Sequence, residues 1–232
     1  MSASNFDIVD KQADFIIVNK SADINFHDEG DIGEGLFSQV KRSLGLEELA
    51  ELFPVHRLDK MTSGLLIFAR NKKAASDFQV LFSEHQIQKY YLALSDNKPT
   101  KKQGLIKGDM AKSRRGMWKL LRSNHNPAIT QFFSYSVQPG IRAFMVKPHS
   151  GKTHQIRVAL ASIKAPIIGD PLYSKTLSDR GYLHAYALQF NYLGKSFNYC
   201  VAPDQGDLFN CEQFKHWLSN IESPQSLPWP SI

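Results

Sequence analysis

Leu65-Leu66-Ile67-Phe68-Ala69 is an unbroken apolar run, bounded by Thr62-Ser63-Gly64 on one side and Arg70-Asn71 on the other. Turn-forming and polar residues close it at both ends, so it is too short for a helix and too apolar for a surface strand. It predicts a core strand. Phe15-Ile16-Ile17-Val18-Asn19 has the same character. Directly before the first run, Pro54-Val55-His56-Arg57-Leu58-Asp59-Lys60-Met61 concentrates polar, chemically capable side chains. Asp59 follows a strand end and precedes the Thr-Ser-Gly turn, a place where a carboxylate can be aimed by its own backbone. In isolation, Arg-Leu-Asp would be read as a turn aspartate capping the next element.

Strand and helix signals follow one another without strict alternation. Leu36, Val40 and Leu44 share a helical face between Gly35 and Gly45. Asn71 can cap a helix from Lys72 that turns Ala75, Phe78, Leu81 and Phe82 inward. Lys89 to Leu94 predicts a strand with Lys89, Tyr91 and Ala93 on one face and Tyr90 on the other. Ile129 to Val137 and Arg142 to Val146 predict an antiparallel pair. A helix from Thr153, capped by its hydroxyl, would turn Ile156 and Leu160 inward and set Arg157 one turn after His154. Leu183 to Phe190 and Ser196 to Val201 supply late strands, and Phe214, Trp217, Leu218 and Ile221 mark a last helix. The pattern predicts an α+β fold with a mixed, largely antiparallel sheet flanked by helices. We expect a single catalytic domain over residues 1–232, with its core at about 7–221 and an irregular proline-rich tail at 223–232.

The chain has 232 residues, 42% of them hydrophobic, enough for a sizeable core. Cys200 and Cys211 lack metal-ligand spacing, and no signal peptide or membrane-length apolar run is seen; a cytoplasmic, reduced protein is the expectation. The net charge of +6 is unevenly spread. Met1 to Phe53 holds 11 acidic and 4 basic residues, whereas Lys98 to Arg122 holds 9 basic residues and one acid, Asp109. A solvated loop would explain such a run. Yet Lys112-Ser113-Arg114-Arg115-Gly116-Met117-Trp118-Lys119 also interleaves an aromatic ring with cations, which suits RNA phosphates and a base face.

Three motifs in order then resemble the RluA-type family of RNA pseudouridine synthases: His56-Arg57-Leu58-Asp59 with Thr62-Ser63-Gly64, Lys89-Tyr90-Tyr91-Leu92-Ala93, and Gly151-Lys152-Thr153-His154-Gln155-Ile156-Arg157. Gly169-Asp170-Pro171-Leu172-Tyr173 and Leu183-His184-Ala185 extend the likeness, which runs from about Asp7 to Asp207. Lys152 stands where the family usually has Arg, Ala159 where His is common, and Asn19-Lys20-Ser21-Ala22-Asp23 replaces Asn-Lys-Pro-Ala-Gly. The resemblance implies a bent central sheet crossed by an active-site cleft; some relatives carry an N-terminal domain of the S4 type, and because the catalytic pattern here begins almost at Met1, none is expected.

It further implies isomerisation of specific uridines to pseudouridine in structured RNA, with no cofactor and no metal. Asp59 would be the catalytic carboxylate, Arg157 the cation that holds it, and Tyr91 the ring beside the uracil. Arg57 would fill the stack left by a flipped uridine. The candidate RNA-contacting set is Arg57, His56, Lys89, Lys152, His154, Arg114, Arg115 and Lys119, within which His56 suits loop structure and His154 with Gln155 suits positioning of the helix. The expected partner is ribosomal RNA of the large subunit or transfer RNA, bound by a monomer with no membrane and no obligate protein partner. Two other readings compete: a catalytically vestigial RNA-binding or RNA-remodelling protein of the same fold, and a carboxylate hydrolase. The hydrolase would need a second acid, for which Asp170 is the nearby candidate and a Gly-Asp-Pro turn the plainer explanation.

Overall fold

The structure, a computed structural model, describes residues 5–29, 33–45 and 51–232. Twelve strands are described: β1 Phe6–Lys11, β2 Phe15–Lys20, β3 Phe53–Pro54, β4 Ser63–Ala69, β5 Gln88–Ser95, β6 Gln103–Gly108, β7 Met110–Lys112, β8 Trp118–Leu120, β9 Ala128–Gln138, β10 Ile141–Pro148, β11 Leu183–Tyr192 and β12 Lys195–Cys200. The described helices are α1 Leu36–Ser43, α2 Lys72–Ser83, α3 Gln155–Ser162, α4 Asp207–Asn210 and α5 Glu212–Asn220. The fold is α+β with a mixed, mostly antiparallel sheet flanked by helices, as the pattern predicts. Among the described residues no helix is long and apolar enough to cross a membrane.

The chain divides into two compact units, one ending its first segment at Ile87 and taking back Leu188–Val201, the other made of Gln88–Ala187 and Ala202–Ile232. In the first, the strand order is β1-β2-β4-β11, with β3 pairing β4 and β12 pairing β11. All seven residues of β4 and all six of β2 are buried, so both strands carry apolar side chains on both faces. One face packs Phe15, Ile17, Leu65 and Ile67 with Phe78 of α2 and with Phe190 and Tyr192 of β11. Phe78 stacks on Tyr192 at 5.1 Å, and Phe15 meets Phe78 edge-on at 5.4 Å. Burying each such ring contributes about 1.5–3 kcal/mol. On the other face Phe68 meets Phe26 at 5.9 Å and Phe37 of α1 at 6.0 Å. Asn71 caps α2 as expected, its Oδ1 accepting from the Ala74 N–H at 2.8 Å, a contact worth about 1 kcal/mol.

In the second unit the order is β11-β5-β10-β9-β6, and β9–β10 is the expected antiparallel pair, with Phe144 opposite Ser134. The basic run is not a plain loop. It builds β6 and then a small separate sheet, the antiparallel hairpin β7–β8, with Trp118 opposite Lys112. Its tip turns at Arg115 (φ 53°) and Gly116 (φ 74°). The single acid of the run, Asp109, accepts the backbone N–H groups of His125 and Asn126 and so ties down the segment after the hairpin. The proline-rich tail has no regular element, yet it is docked: Trp229 lies 5.0 Å from Phe133 and 5.9 Å from Tyr90, and Gln131 donates to the Pro230 carbonyl.

Two expectations need correction. The helix expected from Thr153 begins two residues later, at Gln155, and no side chain caps it; its N-cap is His154 in the left-handed region at φ 57°. Sequence reasoning also passed over β1, whose residues alternate between half-buried and exposed, and β6 to β8, whose charges masked their strand character.

Candidate active site

Asp59 sits in the first unit, between β3 and β4, in a loop anchored on every side. Leu58 and Met61 are buried to either side of it. The Thr62 N–H donates to the Asp59 carbonyl at 3.0 Å, closing the turn that turns the chain into β4. Gly64 has φ 109°, a conformation that a residue with a Cβ enters only with strain. His56 Nε2 accepts the Ile67 N–H at 2.9 Å, so its ring fastens the loop to the central strand, and it packs 4.7 Å from Phe82. A further anchor was not anticipated. Lys20, fully buried, donates from Nζ to the carbonyls of Ser21 (2.8 Å), Ile24 (2.9 Å) and Lys60 (3.0 Å). Its ammonium therefore grips the residue that follows Asp59. Within this scaffold Asp59 is half-buried, while Arg57 and Lys60 are exposed.

The second unit holds the other motif residues. Tyr91 lies on β5 opposite Val146 of β10 and is half-buried, while its neighbour Tyr90 is buried at 2% exposure on the opposite face. Lys89 shares the Tyr91 face, and its Nζ lies 3.5 Å from the Ser150 carbonyl. Arg157 projects from α3, a helix in which every residue from Gln155 to Leu160 is buried. Its guanidinium makes two parallel bonds to Asp170, Nε to Oδ2 at 2.7 Å and Nη2 to Oδ1 at 2.8 Å, with both side chains almost wholly excluded from solvent. Asp170 Oδ1 also accepts the Leu172 and Tyr173 N–H groups, so the Gly-Asp-Pro segment is a turn and an ion-pair partner at once. The turn requires Gly169: φ is +73°, and a Cβ there would lie 1.9 Å from the Arg180 carbonyl oxygen.

Sequence reasoning missed Asp170 as the partner of Arg157, although a signal was present. From Met110 to Ser178 the chain has 11 Lys and Arg and one acid, Asp170. A lone carboxylate among so many cations, in a Gly-Asp-Pro turn, is well suited to be a buried counter-ion.

Gln155 holds the start of α3, its amide donating to the Ile129 carbonyl and Thr130 hydroxyl and its oxygen accepting from Ser150 and the Lys152 N–H. The Lys152 ammonium bonds Asn126 Oδ1 at 2.8 Å. His154 bonds the Tyr173 hydroxyl. Arg114, Arg115 and Lys119 are exposed on the β7–β8 hairpin, and the Lys112 ammonium is 6.0 Å from the half-buried Trp118 ring. The charge is divided between the units: the second has 18 Lys and Arg against 8 Asp and Glu, the first 10 against 14. Among the described residues no three His, Cys, Asp or Glu side chains gather as a metal site would require.

Desolvation lowers the Lys89 pKa from 10.5 to about 8. Between pH 8 and 10.5 the unfolded chain then holds more of this proton than the folded one, so folded stability gains from Lys89 as pH rises through that window. Lys89→Met should therefore melt at a higher temperature than wild type at pH 7, with the difference shrinking towards pH 10.5. Thermal unfolding of both proteins across this range checks it, and a difference independent of pH refutes it.

In the first unit the Asp59 carboxylate is thus half-buried, and in the second the β7–β8 hairpin sets exposed cations beside an aromatic ring. The family model described as RNA pseudouridylate synthase matches residues 14–162, and the chain belongs to that family. It is an RNA-modifying isomerase. An uncharacterized RNA pseudouridine synthase of Haemophilus influenzae is 49% identical over 205 residues, covering 88% of this chain and 90% of the relative. The dual-specificity RNA pseudouridine synthase RluA of Pasteurella multocida is 29% identical, over 80% of this chain and 87% of its own. The solved structure of human RNA Pseudouridylate Synthase Domain Containing 1 shares the fold, with a TM-score of 0.74 at 22% identity and full coverage of both chains.

Proposed function

We propose that this protein is an RluA-type synthase that converts particular uridines of structured cytoplasmic RNA, either large-subunit ribosomal RNA or transfer RNA, and that Asp59 is its catalytic carboxylate. The observation that carries this reading is the loop around Asp59. Lys20, His56, Leu58 and Met61 all serve to hold one half-buried carboxylate in place. The Pasteurella relative's dual specificity supports keeping more than one RNA target open for this chain.

The reaction breaks the bond from ribose C1′ to uracil N1 and forms one from C1′ to C5; the C5 proton leaves and N1 gains one, with no change of oxidation state. Ionised Asp59 acts at the ribose, by attack on a carbon or by removal of a proton, and either route needs its charge. Tyr91 restrains the cleaved base, and Arg157 supplies positive charge. The nucleotide must leave its stack, at a cost of a few kcal/mol, and Arg57, exposed beside Asp59, fills the gap. The hydrolase reading loses its second acid, because Asp170 is buried and bound to Arg157. Tritium release from RNA labelled at uracil C5 tests the reading, and mapping pseudouridines in cells with and without the protein identifies the target. A protein that binds RNA but releases no tritium would favour the vestigial alternative.

The cationic hairpin carries nonspecific affinity in this reading. Neutralising Arg114, Arg115 and Lys119 together should weaken RNA binding and reduce the slope of log affinity against log salt by about two to three, as fewer counterions are released. An unchanged slope would mean that these cations do not meet phosphate.

A further inference from the structure

Tyr173 lies where the cationic hairpin, the start of α3 and Arg157 come together, all within the second unit. Its hydroxyl accepts the backbone N–H of Trp118, the first residue of β8, at 2.7 Å. It also bonds His154 Nδ1 at 3.0 Å. An amide N–H can only donate, so the phenol keeps its own proton to give, and an unprotonated Nδ1 is a suitable acceptor. The Tyr173 ring lies 5.2 Å from the Arg157 guanidinium carbon and meets the His154 ring edge-on at 5.8 Å. The Tyr173 backbone N–H in turn donates to Asp170 Oδ1, which is bonded to Arg157.

A second observation concerns His154. It occupies the left-handed region at φ 57°, where a side chain with a Cβ is strained, and it is the residue from which α3 starts. Such strain persists only where the surroundings hold it, and the Tyr173 hydroxyl is part of that hold. Trp118 lies two residues after Gly116, which ends the hairpin tip that displays Arg114 and Arg115. A displacement of the hairpin therefore reaches the Tyr173 hydroxyl through one hydrogen bond, and the Arg157 guanidinium through the same ring.

We propose that Tyr173 is a positioning residue for isomerisation: it joins the RNA-contacting hairpin to Arg157, so that RNA seated on Arg114, Arg115 and Lys119 sets the guanidinium for turnover. The inference rests on the role proposed above for Arg157. Tyr173→Phe keeps the ring beside the guanidinium and removes only the hydroxyl that reaches Trp118 and His154.

The test uses the full-length protein and total RNA tritiated at uracil C5, taken from cells lacking the protein, under single-turnover conditions with saturating enzyme. Tyr173→Phe should release tritium about tenfold more slowly than wild type, with RNA Kd within about twofold. Neutralising Arg114, Arg115 and Lys119 should lower the saturated rate in the wild-type background and lower it no further in the Tyr173→Phe background, because the two changes cut the same path. A Tyr173→Phe protein with the wild-type saturated rate overturns the proposal, as do losses that multiply independently. Arg157→Lys, measured alongside, separates the two levels. If it is slow while Tyr173→Phe is not, the coupling fails alone; if it turns over at the wild-type rate, the role of Arg157 fails and the coupling with it.

Discussion

Asp59→Asn should abolish uridine isomerisation while leaving the protein folded and able to bind RNA. The amide matches the carboxylate in size and keeps one of its two acceptor oxygens, but it is neither a nucleophile nor a base at the ribose. The loop anchors formed by Lys20 and His56 use backbone groups: the Lys20 ammonium meets backbone carbonyls, including that of Lys60, and the His56 ring meets a backbone amide. Thermal unfolding within a few degrees of wild type, RNA Kd within about twofold and tritium release reduced by about four orders of magnitude or more is the expected set. A variant that converts uridine at near the wild-type rate would remove Asp59 from the chemistry.

Asp170→Ala should be among the most destabilising single changes in the protein. Arg157 is 4% exposed and Asp170 1%, so removing the acid strands a buried guanidinium. The loss should be about 3–5 kcal/mol in denaturant unfolding. Pairing the change with Arg157→Met should recover most of the stability, since a buried ion pair replaced by apolar side chains of similar volume is close to neutral. It should not recover isomerisation. A stable Asp170→Ala single variant would show that Arg157 is satisfied without its carboxylate.

Much of this was legible in the sequence wherever apolar pattern decides structure. β2, β4, β5 and the β9–β10 pair declare themselves by runs such as Leu65 to Ala69, and α2 by Asn71 and its inward Phe78. Charge hid the rest. β6, β7 and β8 carry lysines and arginines that read as a solvated run, whereas β6 pairs with β9 and β7 pairs with β8 as a hairpin in which Trp118 faces Lys112. The start of α3 was misjudged because a Thr hydroxyl is the stronger local signal, whereas a left-handed His154 is selected by tertiary contacts with no local signature. The motif residues Asp59, Tyr91 and Arg157 stand out by resemblance. The residues that hold their surroundings do not: Lys20 reaches Lys60 across 40 positions, and Trp118 reaches Tyr173 across 55.

The strand β11 has a consequence for how the chain is made. Its first half, to Ala187, belongs to one unit and its second half, from Leu188, to the other. Phe15 and Phe78 emerge early from the ribosome, but Phe190 and Tyr192, which complete their cluster, are translated more than a hundred residues later. At synthesis rates of about 5–20 residues per second, that interval leaves an incomplete apolar face exposed for several seconds at least. The nascent chain up to Ile87 should therefore be a substrate for chaperones that shield hydrophobic surface, and a ribosome stalled short of Tyr192 should display a first unit still open to protease.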